Sequence, residues 1–103
     1  MNVNNWGIFV WIGTGFDLIA YTALTMTFTK PDGTFLVVTN PAVSVSGIDE
    51  ETTAGLFPAN TYAQYITQPG DIDQVGQWSV RLTYQDADKL LTTDTPAFFT
   101  VDP

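Results

Sequence analysis

Along most of this chain apolar side chains recur at every second position, and the residues that fill those positions are largely β-branched or aromatic. That period belongs to strands with one face turned inward, not to helices. The segment Ala23 to Thr29 shows it best: Leu24, Met26 and Phe28 are expected to point into a core while Thr25, Thr27 and Thr29 face solvent. Pro31-Asp32-Gly33 follows as a turn, because Pro presets φ, Asp bonds back to its own backbone and Gly supplies a positive φ. Phe35 to Thr39 is therefore expected to return antiparallel as the hairpin partner.

The same reading extends to both ends. Trp6 to Ile12 is a predicted first strand with Ile8, Val10 and Ile12 on one face and Phe9 and Trp11 on the other, so that both faces look covered, and Gly13 and Gly15 break it. Pro41 to Ser46 is a short edge strand, and Ile48 to Ala59, with its acids, Gly55 and Pro58, is an exposed loop. Tyr62 to Thr67 is a strand, and Trp78 to Tyr84 another, with Trp78, Val80, Leu82 and Tyr84 on its buried face. Asp86 to Lys89 forms a hairpin tip. Leu90 to Thr93 and Ala97 to Val101 are two halves of a last strand, interrupted at Asp94 and Pro96. About seven short strands with frequent turns predict an all-β, two-sheet antiparallel sandwich of immunoglobulin type, formed as a single domain over residues 1–103.

Composition narrows the function. Three basic against eleven acidic residues give a net charge of −8, a balance that repels phosphate backbones and anionic lipid and speaks against nucleic acid and membranes as partners. The chain has no cysteine and no histidine, which removes disulfides, the usual zinc ligands and the usual neutral-pH acid–base group, and no cofactor is expected. Trp6 to Ile12 is apolar but far shorter than the roughly 20 residues that span a bilayer, and no basic leader precedes it.

Three segments, taken together, resemble a known family. They are Phe16-Asp17-Leu18 followed by Thr25 to Thr34 with its Thr29-Lys30-Pro31-Asp32-Gly33 hairpin; Gly70-Asp71-Ile72-Asp73 leading to Gly76-Gln77-Trp78; and the closing Ala97-Phe98-Phe99-Thr100-Val101. In this order they are similar to the immunoglobulin-like domain at the N-terminus of phage baseplate upper proteins and in related small phage virion proteins. The resemblance implies a virion structural protein assembled in the host cytoplasm, with other virion proteins as partners and self-association into a homo-oligomer allowed. With no histidine, a single arginine and no Gly-x-Ser-x-Gly, Walker or metalloprotease motif in the sequence, catalysis is not expected. Pro31, Asp32, Gly33, Asp73, Gly76 and Trp78 are the structural residues of the pattern. By a separate route, Asp73, Gly76 and Trp78 stand where immunoglobulin-type sandwiches keep a tyrosine corner; here a Trp indole N–H takes the place of the Tyr hydroxyl and is left with one bond to donate.

Candidate chemistry is sparse. Asp71 and Asp73, like Asp86 and Asp88, offer two carboxylates each to a metal ion but not the ligand run of a dedicated calcium site, so capping of turns is the expected role and Asp71 and Asp73 remain only weak metal candidates. Asp49-Glu50-Glu51 would need to hold two carboxyls roughly 5 to 9.5 Å apart across a cleft to act as a glycosidase pair, and on one loop they are expected to stay solvated. Binding is better placed in the aromatics. Trp6, Phe9, Trp11, Tyr62 and Tyr65 are the candidate interface residues, since Tyr and Trp left on a surface serve as interface anchors or as sugar-stacking platforms. A host-glycan platform of Tyr62, Tyr65 and the Ile48 to Asn60 loop is the competing reading.

Overall fold

The computed structural model describes residues 1–52, 55–93 and 96–103. Among these described residues every regular element is a strand: β1 (Phe9–Gly13), β2 (Ala23–Thr29), β3 (Phe35–Thr39), β4 (Ser44–Val45), β5 (Glu50–Thr52), β6 (Gly55–Phe57), β7 (Tyr62–Ile66), β8 (Gly76–Gln85), β9 (Leu90–Thr92) and β10 (Ala97–Val101). They form three antiparallel sheets: β1-β7-β4, then β10-β8-β2-β3 with β9 also on β8, and the small hairpin β5-β6.

The alternation in the sequence becomes the core directly. Leu24, Met26 and Phe28 of β2 and Trp78, Val80, Leu82 and Tyr84 of β8 are buried, while the threonines of β2 are only half-buried. Val10 and Ile12 of β1 and Ala63 and Tyr65 of β7 join the same contiguous cluster, and Phe28 meets Tyr65 across the sheets with ring centroids 6.0 Å apart. Each such aliphatic or aromatic side chain taken out of water contributes about 1.5–3 kcal/mol, so this shared interior holds the larger sheets together.

The turn between β2 and β3 forms as its residues predict. Gly33 N–H donates to the Lys30 carbonyl, and the Asp32 carboxylate accepts both the amide and the hydroxyl of Thr34. The last strand is also split: β9 pairs Thr92 with Thr83 and β10 pairs Ala97 with Val80, so both halves lie along β8 out of continuous register. Pro96 is at the interruption; Asp94, the other residue expected there, lies outside the described residues.

Two expectations are corrected. The first strand begins at Phe9, not Trp6, because the chain bends at Gly7, whose N–H donates to the Thr67 carbonyl and leaves Trp6 outside the ladder. The stretch from Ile48 to Ala59 is not a loop throughout; Glu50–Thr52 and Gly55–Phe57 pair as β5 and β6, with Glu50 opposite Phe57. What draws this hairpin onto the body is Phe57. Its ring lies 5.7 Å from that of Tyr62 and so close to Gly13 that a Cβ there would meet it at 3.0 Å. The Tyr62 hydroxyl donates to the Ile48 carbonyl at 2.9 Å.

Candidate functional site

The N-terminal residues are not a loose tail. Asn2 and Asp102 form a parallel bridge, Val3 N–H donates to the Asp102 carbonyl, Asn4 N–H to Ile72 and Gly7 N–H to Thr67. These bonds pin residues 2–7 to both larger sheets, and at their end Trp6 stands 62% exposed. Phe9, on the outward side of β1, is 50% exposed and stacks on Trp11 with centroids 5.8 Å apart. Trp11 is half-buried, edge-on to Tyr62, and its indole Nε1 donates to Gln64 Oε1 at 3.3 Å. Large aromatics fixed in place with one face in water lose little conformational entropy on meeting a partner.

The other two candidate interface aromatics stand elsewhere. Tyr62 and Tyr65 are 1% and 4% exposed and present no ring face to solvent, so they are corrected from surface anchors to parts of the packing. Tyr62 lies under Phe57 and Trp11. Tyr65 points into the core and donates its hydroxyl to Asp71, and burial, reinforced by that bond, pushes its phenol well above the ordinary tyrosine range.

Beside β1 an apolar trough separates the two sheet edges. Its larger part, about 680 Å³, is lined by Trp11, Gly13 and Phe16 on one side and Leu91 and Pro96 on the other, with Tyr84 between. A second part of about 340 Å³ continues past Phe9 toward Phe98 and Phe99, and the two share Trp11, Phe57 and Ala97. Sequence reasoning did not find this trough, although Pro96, which lines it, was visible as a break in the last strand. It also missed the exposed apolar side chains Phe35 and Val37 on β3 and Phe98 on β10; apolar residues at consecutive positions of both strands were the signal.

The acidic candidates serve the fold. The Asp71 carboxylate accepts Tyr65 O–H and Gln68 N–H, and both oxygens of Asp73 take Lys30 Nζ at 3.0 Å. Asp86 accepts the amides of Asp88 and Lys89 and the hydroxyl of Tyr84, and these bonds, that of the Asp88 amide foremost, hold its carboxyl below the usual range. Asp49 accepts the Ala59 amide, while Glu50 and Glu51 lie on β5. Among the described residues no three acidic side chains gather as a metal site.

The corner residues do come together. Trp78 is fully buried, donates its Nε1–H to the Gln74 carbonyl at 3.0 Å and stacks on Phe99, with Lys30 Nζ 5.7 Å above its ring. Gly76 has φ of 130° and backs so closely on Pro31 that a Cβ would lie 2.9 Å from its ring, so only glycine fits there. The Lys30–Gly33 turn and the Asp73–Trp78 connection are thus packed on each other.

Set against protein-family models, curated proteins and solved structures, the chain matches none of them.

Proposed function

We propose that this chain is a non-catalytic structural subunit of a phage particle, a small decoration or adaptor protein that docks on capsid or tail through protein–protein contacts. Its scaffold is then an immunoglobulin-like sandwich. Strand order supports that scaffold: β1, β7 and β4 share one sheet as strands B, E and D of that fold do, and β2, β8 and β10 share the other as C, F and G do. The resemblance of the Lys30–Gly33 turn, the Asp71–Trp78 connection and the closing strand to phage virion domains supports the setting.

The docking role is carried by one observation: Trp6 stands exposed at the end of a hydrogen-bonded N-terminal segment, and Phe9, stacked on Trp11, stands half-exposed at the start of β1. A charge of −8 keeps the free subunits apart, and contact with a partner removes the apolar surface from water. The glycan reading loses its platform with the burial of Tyr62 and Tyr65. The test is light scattering on the purified chain, followed by mixing with parent particles stripped of it. Stoichiometric rebinding is the expected result; a chain that ignores the particle contradicts the proposal.

A further inference from the structure

Resting on the docking role just proposed, we propose that the trough beside β1 receives an extended, positively charged segment of a partner protein, which adds to the free edge of β1 as a further strand.

Three observations specify that occupant. The first is the backbone of β1. Among the described residues β1 pairs with β7 alone. Thr67 N–H donates to the Ile8 carbonyl and Thr14 N–H to the Thr61 carbonyl, so the even-numbered residues of this strand face β7. In an antiparallel ladder, alternate residues turn their N–H and C=O groups the opposite way. Phe9, Trp11 and Gly13 therefore present donors and acceptors at strand spacing along one wall of the trough. A compact apolar ligand would leave that row without partners, whereas an extended polypeptide satisfies it, the mode of binding by β-strand addition.

The second is shape. Between them the two parts flank all five residues of β1, about 17 Å at strand rise, and share Trp11, Phe57 and Ala97. An added strand pairs with β1 and drops alternate side chains between the sheets, where Tyr84 and Leu91 offer apolar contact, while the others turn outward on the side of Phe57.

The third is charge. Among the described residues no cationic side chain lines either part. Lys30 is engaged by Asp73, Lys89 lies 3.9 Å from Asp86, and Arg81 donates to the Thr93 carbonyl. No acidic side chain among the described residues lines it either; around it Asp17 follows Phe16 in the chain, Asp86 holds the hydroxyl of Tyr84 and Glu50 sits opposite Phe57, with Arg81 at the carbonyl of the lining Thr93, and the chain as a whole carries a net charge of −8. An apolar segment flanked by Lys or Arg is complementary to that charge, and an acidic one is repelled. The same charge opposes edge-to-edge pairing of two copies of this chain.

The experiment is amide hydrogen exchange by NMR on the isotope-labelled full chain, with a synthetic peptide of alternating valine and threonine bearing lysines at both ends, and its counterpart bearing glutamates. In the free protein the Phe9, Trp11 and Gly13 amides should exchange fast and those of Val10 and Ile12 slowly. The lysine peptide should slow the first set at least about tenfold, and the glutamate peptide should not. Leu91→Lys, on the wall of the trough and partly exposed, should weaken lysine-peptide binding about tenfold with the fold intact. The inference is overturned if those amides are already slow in the free protein, if their protection rises with protein concentration alone, or if neither peptide protects them at roughly millimolar concentration. A chain that fails this test yet still rebinds the particle loses this inference and keeps the docking role; one that binds the peptide but ignores the particle does the reverse.

Discussion

Trp78 and Trp6 sit in two regions that use the same residue type to opposite ends. Around Trp78 the Lys30–Gly33 turn and the Asp73–Trp78 connection close on each other, with the indole buried, its N–H satisfied and a lysine above its ring. Around Trp6 the flanking backbone is also tied down, by bonds of Val3, Asn4 and Gly7 to Asp102, Ile72 and Thr67, but the side chain is left in water. Order in the backbone therefore does not imply that a side chain serves the fold. In the proposed docking role, the burial of Trp6 is left to a partner.

The largest expected effect that would sharpen this contrast is Trp78→Ala, which removes a fully buried ring and should cost about 3–5 kcal/mol in denaturant unfolding. Trp6→Ala should stay within about 0.5 kcal/mol of the parent. Comparable losses at both sites would erase the distinction. Next comes Gly76→Ala, which forces a positive φ on a side chain and a Cβ against Pro31; about 1–3 kcal/mol is expected, read from the shift in unfolding midpoint.

These two residues also mark how far the sequence could be read. The corner was legible because its parts are local in type: Pro31-Asp32-Gly33 dictates a turn whatever surrounds it, and strict alternation through β2 and β8 names the buried face. The β5-β6 hairpin was not, because its strands are three residues long, acidic, and held by Phe57 against Gly13 and Tyr62, a contact no local period announces. Tyr62 was misplaced for the same reason: on a two-faced strand its outward position reads as exposed until the hairpin covers it. Trp6 could be singled out as an unspent aromatic, but its rigid setting depends on Asp102, Ile72 and Thr67, far along the chain.

Smaller effects are expected from the charges of the corner. Asp73→Asn breaks the ion pair with Lys30, but with Asp73 half in solvent the loss should not exceed about 1 kcal/mol and should shrink in salt. The hairpin tips should respond to acid. The hydroxyl and amide of Thr34 hold the Asp32 carboxyl below its ordinary value, and the Asp88 amide with the Tyr84 hydroxyl does so for Asp86. Because both are lowered in the fold, their contribution is complete above the ordinary carboxylate pKa of about 3.9 and is lost as pH falls through the folded values. Carboxyl-carbon NMR titration should give midpoints below about 3.9 for both; midpoints above it would contradict the hydrogen-bonded turns.

The most direct test of the central claim is particle rebinding by the double variant Trp6→Ala/Phe9→Ala against Phe35→Ala/Val37→Ala, which removes a comparably exposed apolar pair from β3. Both variants should fold as the parent does. The account predicts that the first loses at least about tenfold in affinity, as truncation of interface anchors does, and that the second binds like the parent. Unchanged binding by the first, or an equal loss in the second, would show that the N-terminal turn and β1 are not the docking surface.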